Sequence, residues 1–208
     1  MAKYSMGFLG PFHGKLGTAV GSSSRGVNYL RSMPKKIRNP RTPAQVQTRA
    51  NLKLASRIAS HIRPVADIAH TAQSVRMGPQ AYTVRQLLGP AGLKADPNTG
   101  AREQLTPGAL DLTAGRGPAL MGVTAKIEAG QLKVTWTPAA GSAREVHVAL
   151  ASRDGHLGAS RLRAAQESDG TASLPLAADL AAAEHSLVVV CARDAETRKC
   201  SPTVAIIL

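Results

Sequence analysis

The sequence predicts an α+β protein in two parts: an N-terminal Gly-rich β-hairpin arm with short helices, then a C-terminal β-sandwich of immunoglobulin or fibronectin type III kind. Three observations predict it. Glycines at 7, 10, 14, 17, 21 and 26 break up the opening stretch, each costing about 1 kcal/mol in a helix interior. Apolar residues then recur every four positions from Val46, but every two from Leu120 onward. The charge is also one-sided. Residues 1–100 hold fifteen Lys and Arg against Asp67 and Asp96, and the rest hold eleven of each sign, so the whole formal charge of +13 lies in the first half. The expected layout is a basic hairpin-plus-helices region at 1–92, a linker at 93–118 and a sandwich at 119–208.

In the arm, Leu16–Ser22 and Gly26–Ser32 read as a hairpin around Ser22-Ser23-Ser24-Arg25. Its second strand alternates Val27, Tyr29 and Arg31 with Asn28, Leu30 and Ser32, so neither face is cleanly apolar. Such a hairpin is marginal alone and needs something to lie against. Phe8, Phe12, Leu16, Val20, Val27 and Tyr29 are the candidate subunit contacts. Gly14-Lys15 and the Gly/Ser run to Ser24 do not make a phosphate loop, which needs Lys directly after its last Gly, then Ser or Thr.

Residues 34–42 form a connector held extended by Met33-Pro34 and Asn39-Pro40. Thr42-Pro43-Ala44-Gln45 is a helix start: Thr42 can cap, Pro43 suits the first helical position, and Gln45 can reach back. The helix is expected to run to about Ile62 and stop at Pro64. Val46, Ala50, Leu54, Ile58 and Ile62 give its apolar stripe, and Gln45, Arg49, Lys53 and Arg57 a parallel polar row. Lys35, Lys36, Arg38, Arg41, Arg49, Lys53 and Arg57 are therefore the candidate contacts for a polyanion or a partner protein. Two further helices are expected over Pro64–Met77 and Gln80–Leu88.

Period-two runs follow at Val123–Ile127, Gln131–Thr137 and Glu145–Ala151, with further strands at Ala159–Arg163, Thr171–Leu176, His185–Arg193 and Thr203–Leu208. Seven short strands in about 90 residues is the pattern of a sandwich, with Trp136 as its core plug.

No enzyme, cofactor or metal site is expected. His61 and His70 are nine apart across a proline, and no Ser sits in a G-x-S-x-G elbow. Glu145, Asp154, Glu167 and Asp169 read as turn or strand-edge residues, and His147 as lying on the more exposed face of its strand. Cys191 and Cys200 flank a polar turn and are expected to be reduced thiols, the alternative being a cross-hairpin disulfide. No run approaches the roughly 18 apolar residues of a membrane span. Met6–Leu9 is too short for a signal-peptide core, so a cytoplasmic or virion location is expected.

The opening GFLGPFHGKLGTAVGSSSRGVNYLRS, the junction PKKIRNPRTPAQVQTRA, the strand LKVTWT and the late DGTASLPL resemble a family of uncharacterised proteins of about 200 residues, a domain of unknown function found in Bacteroidota and their phages. The resemblance implies the same two-part layout and no catalytic residue, and its phage members point to a virion or assembly component. Two functions are expected from the residues. One is a non-enzymatic structural protein, a homo-oligomer or part of a larger virion or filament assembly, joined through its arm. The alternative is a protein that binds DNA or RNA phosphates through its basic half.

Overall fold

A computed structural model describes residues 2–3, 13–24, 26–33, 41–70, 77–112 and 117–208. The chain divides into two compact units, Met1–Arg41 and Thr42–Leu208.

The first unit is a four-stranded antiparallel sheet of β1 (Ala2–Lys3), β2 (Gly14–Leu16), β3 (Ala19–Ser24) and β4 (Val27–Ser32), in the order β1-β4-β3-β2. The β3–β4 hairpin is the expected one, with Ser22 opposite Tyr29 and Ser24 opposite Val27. Leu16, expected within the hairpin's first strand, lies instead on β2. Gly17, at φ +57°, turns the chain back so that Leu16 faces Ala19. Phe8 and Phe12 lie outside the described residues.

The second unit opens with α1 (Pro43–His70), followed by α2 (Pro79–Leu88) and a short ribbon of β5 (Lys94–Ala95) and β6 (Arg102–Gln104). The seven expected strands are all present: β7 (Thr124–Glu128), β8 (Gln131–Thr135), β9 (Glu145–Ala151), β10 (Gly158–Gln166), β11 (Thr171–Pro175), β12 (Leu187–Arg193) and β13 (Val204–Ile207). They form a three-stranded sheet, β11-β8-β7, and a four-stranded sheet, β10-β9-β12-β13.

Strand alternation explains the layering. Val146, Val148, Leu150, Val188, Val190 and Ala192 share one core with Leu132, Val134 and Trp136 of the smaller sheet. Ala149, Ala151, Leu187, Val189 and Cys191 belong to a second core with Leu54, Ala55, Ile58, Ala59, Ile62 and Val65 of α1. The four-stranded sheet is thus buried on both faces, which is why β12 reads LVVVCAR without polar interruption. Trp136 fills the sandwich core as expected, 4% exposed, and donates from Nε1 to the Glu167 carbonyl at 2.8 Å.

Three expectations are corrected. The helix does not stop at Pro64: α1 continues through it to His70, joining the first expected helix to the start of the second, whose residues 71–76 lie outside the described residues. Pro64 removes one intrahelical donor, but Ile62 and Val65 on either side are fully buried, and the apolar stripe crosses the proline intact. His147 is fully buried, because the sheet face read as exposed is the one that carries the second core; its Nδ1 accepts from the Arg163 N–H at 3.0 Å. Glu167 is also buried, 3% exposed, and pairs with Arg144, whose Nε reaches its Oε2 at 2.7 Å.

The compact boundary also differs from the expected one. The sequence reading groups α1 and α2 with the arm up to residue 92, whereas they pack in one unit with the sandwich. The reason is the Leu54, Ile58 and Ile62 part of the α1 stripe, which is buried in one core with the four-stranded sheet. Cys191 and Cys200 are free and buried. Burial raises both thiols, so neither carries thiolate character.

Candidate functional site

The basic row of α1 starts from a well-defined cap. Thr42 Oγ1 accepts from the Gln45 N–H at 3.4 Å, its carbonyl accepts from the Val46 N–H at 3.0 Å, and Pro43 opens the helix. The reciprocal half of a capping box is not made, since Gln45 Oε1 is buried without a partner.

This start fixes the helix phase, so Arg49, Lys53 and Arg57 fall on one flank at successive i, i+4 positions. They line a groove of about 290 Å³ with Val46, Thr99 and His156 among its other walls. Arg49 and Lys53 are exposed and Arg57 is half-buried. Like charges at this spacing disfavour a helix by a few tenths of a kcal/mol, so the row is not there for helix stability.

Two turns complete the groove. In the first, the Asp96 carboxylate accepts from the Asn98 N–H at 2.8 Å and the Thr99 hydroxyl at 2.7 Å, and these bonds hold its pKa below the ordinary carboxylate value. In the second, Asp154 accepts from the Ser152 hydroxyl and the His156 N–H; these bonds outweigh the burial that would raise its pKa. Both carboxylates are thereby engaged in their own turns, and among the described residues none lining the groove is acidic.

Two glycines bring the second turn against the helix. A Cβ on Gly155 would stand 2.9 Å from Arg57 Cβ, and one on Gly158 would stand 2.4 Å from His61 Cγ. Gln47 and Asn51 tie the other side: Gln47 Nε2 donates to the Ala95 carbonyl at 2.6 Å, and Asn51 Oδ1 accepts from the Ala95 N–H at 2.9 Å. Sequence reasoning missed the contributions of Thr99 and His156, which come from turns distant in the chain, and no local signal marks them.

Of the other expected contacts, Lys35, Lys36 and Arg38 lie outside the described residues. Arg41 is exposed and belongs to the first unit. In the arm, Leu16 is 68% and Val27 45% exposed, while Val20 and Tyr29 are half-buried. Among residues 13–23 and 26–33 of that unit no apolar side chain is buried. The described residues contain no His, Cys, Asp and Glu grouping able to hold a metal, and no helix among them is long and apolar enough to cross a membrane.

The chain combines helices with antiparallel sheets, and its first part is similar to a family of unknown function. Residues 11–91 match the model of a family of unknown function (DUF6266), so the resemblance to an uncharacterised family holds over that segment. Among curated proteins there is no match. Among solved structures, the fn3 domain of human collagen alpha-1(XX) chain is similar at 23% identity over 46% of this chain and 85% of that one, with a TM-score of 0.33.

Proposed function

We propose that this is a non-enzymatic structural protein, a virion or filament component, that joins copies of itself through its N-terminal sheet. In this reading the sandwich, of fibronectin type III kind, is a spacer or contact module. The observation that carries it is the sheet of β1 to β4. Four strands normally persist by burying one face, yet here Leu16 and Val27 stand exposed, as does Met33 just past β4, and among residues 13–23 and 26–33 no apolar side chain is buried. The register puts Val20, Val27 and Tyr29 on one face of the sheet and Leu16 on the other. A second copy laid on the Val27 face would supply a missing core, and the symmetry of such a contact favours a self-complementary patch. The test is sedimentation velocity on the full chain and on a Leu16→Glu/Val27→Glu variant. Assembly that grows with concentration in the parent and disappears in the variant supports the reading; a parent that stays monomeric at high concentration overturns it.

A second reading, binding of DNA or RNA phosphates, is favoured by the Arg49, Lys53 and Arg57 row along a groove without acidic lining among the described residues. Such binding is weakly selective for sequence and falls steeply with salt. Replacing all three with Gln is expected to reduce the slope of log affinity against log salt by about 2 to 3, measured by fluorescence anisotropy on a labelled oligonucleotide. An unchanged slope removes this helix from the interface. Both readings are compatible with a virion protein that meets packaged genome on one side, and both accord with a cytoplasmic or virion location.

A further inference from the structure

A second cavity, of about 400 Å³, shares no lining residue with the basic groove and is lined by Arg102, Glu103, Leu105, Arg153, His185 and Ile207 among others. Arg102 is its unusual member. It is 5% exposed, and among the described residues no carboxylate lies within the 4.0 Å of an ion pair. Its Nη1 is buried with no hydrogen-bond partner. Buried guanidinium groups are ordinarily paired, because an uncompensated charge in the interior costs several kcal/mol.

The arginine is nevertheless held firmly. Its N–H donates to the Arg153 carbonyl at 3.1 Å, and Arg153 Nε donates back to the Arg102 carbonyl at 2.8 Å. Its Nη2 donates to the carbonyl of His185, a residue whose backbone is in the left-handed region at φ +55°. Burial and the neighbouring Arg153 push the Arg102 pKa down to about 10, which leaves it charged at neutral pH. A fixed cation with an idle donor, a second guanidinium beside it and an apolar wall is the arrangement of an anion site, not of a structural ion pair.

We propose that this cavity binds a small organic carboxylate, with the carboxylate on Arg102 and Arg153 and its apolar part against Leu105 and Ile207. The lining favours a single negative charge: Glu103 lines the same cavity, so two arginines and one carboxylate leave a surplus of one positive charge. That balance disfavours a doubly charged phosphate. The planar fork of a guanidinium also matches a carboxylate well.

The test is a titration of the full chain with benzoate, followed by the arginine Nε–H signals in nitrogen-15 NMR. Neutral benzamide and inorganic phosphate serve as comparison probes. The expected result is saturable movement of the Arg102 and Arg153 signals with benzoate, with benzamide at least about tenfold weaker. Arg102→Met is expected to abolish the response. Should that variant not fold, Arg153→Gln, at an exposed side chain, carries the same test and is expected to weaken benzoate by about tenfold. Absence of saturable movement, or benzoate binding that survives Arg153→Gln unchanged, overturns the proposal. Phosphate binding more tightly than benzoate at the same two arginines overturns the carboxylate assignment.

Discussion

His147 shows how a single buried residue ties stability to pH. Burial holds its imidazole pKa down to about 4, with Arg193 and Arg163 acting in the same direction and Glu145 opposing them. The unfolded chain therefore takes up a proton near pH 6.5, while the folded one waits until about pH 4. Between those values the unfolded state binds more protons, so stability rises with pH and is lost on acidification. The loss attributable to this residue is at most about 3 kcal/mol. Urea unfolding at pH 7 and pH 4.5 checks it: the parent is expected to lose more stability than His147→Gln, whose side chain does not titrate. Equal losses would place the acid sensitivity elsewhere. The sequence did not announce this residue. In the EVHVALA alternation of β9 a histidine between valines reads as solvent-facing, and only the second core on that face, unforeseeable from β9 itself, buries it. Glu167 was hidden for a different reason: it sits in a turn, and the Arg144 that pairs with it lies 23 positions away.

At the scale of elements, period and punctuation made the sandwich legible. The seven strands were readable because most are short and alternating and are bounded by turn residues such as Ala129-Gly130 and Gly141, while β12 stands out as an unbroken apolar run. The arm was only half legible: its β3–β4 hairpin was visible, but β1 and β2 are too short to carry a pattern. Helix α1 failed in an instructive way. Local proline chemistry argues for a stop at Pro64, and tertiary burial overrides it, because Ile62 and Val65 both enter the same core. The proline still lacks a donor and crowds the preceding turn, so Pro64→Ala is expected to stabilise the protein by about 1 to 3 kcal/mol, read from chemical denaturation midpoints. A loss of stability would mean that the ring itself packs in a way alanine cannot replace. The basic row on this helix was legible from spacing; the groove beside it was not, because Thr99 and His156 arrive from separate turns.

For the molecule as a whole, the break in charge near residue 100 and the break in packing are different boundaries. Charge marks which surface is basic, whereas packing follows the apolar stripe of α1 into the second core, so the compact units divide between Arg41 and Thr42. What this leaves at the N-terminus is a sheet on which Leu16 and Val27 are exposed, and that is the basis for reading the chain as an assembly protein. A sheet completed only by a second copy should be stable in proportion to how much of it is assembled. Amide hydrogen exchange across a dilution series measures this directly. The account predicts that β2, β3 and β4 are protected at high protein concentration and lose protection on dilution, while β9 and β12 stay protected throughout. Protection of the N-terminal sheet that is the same at every concentration would contradict it.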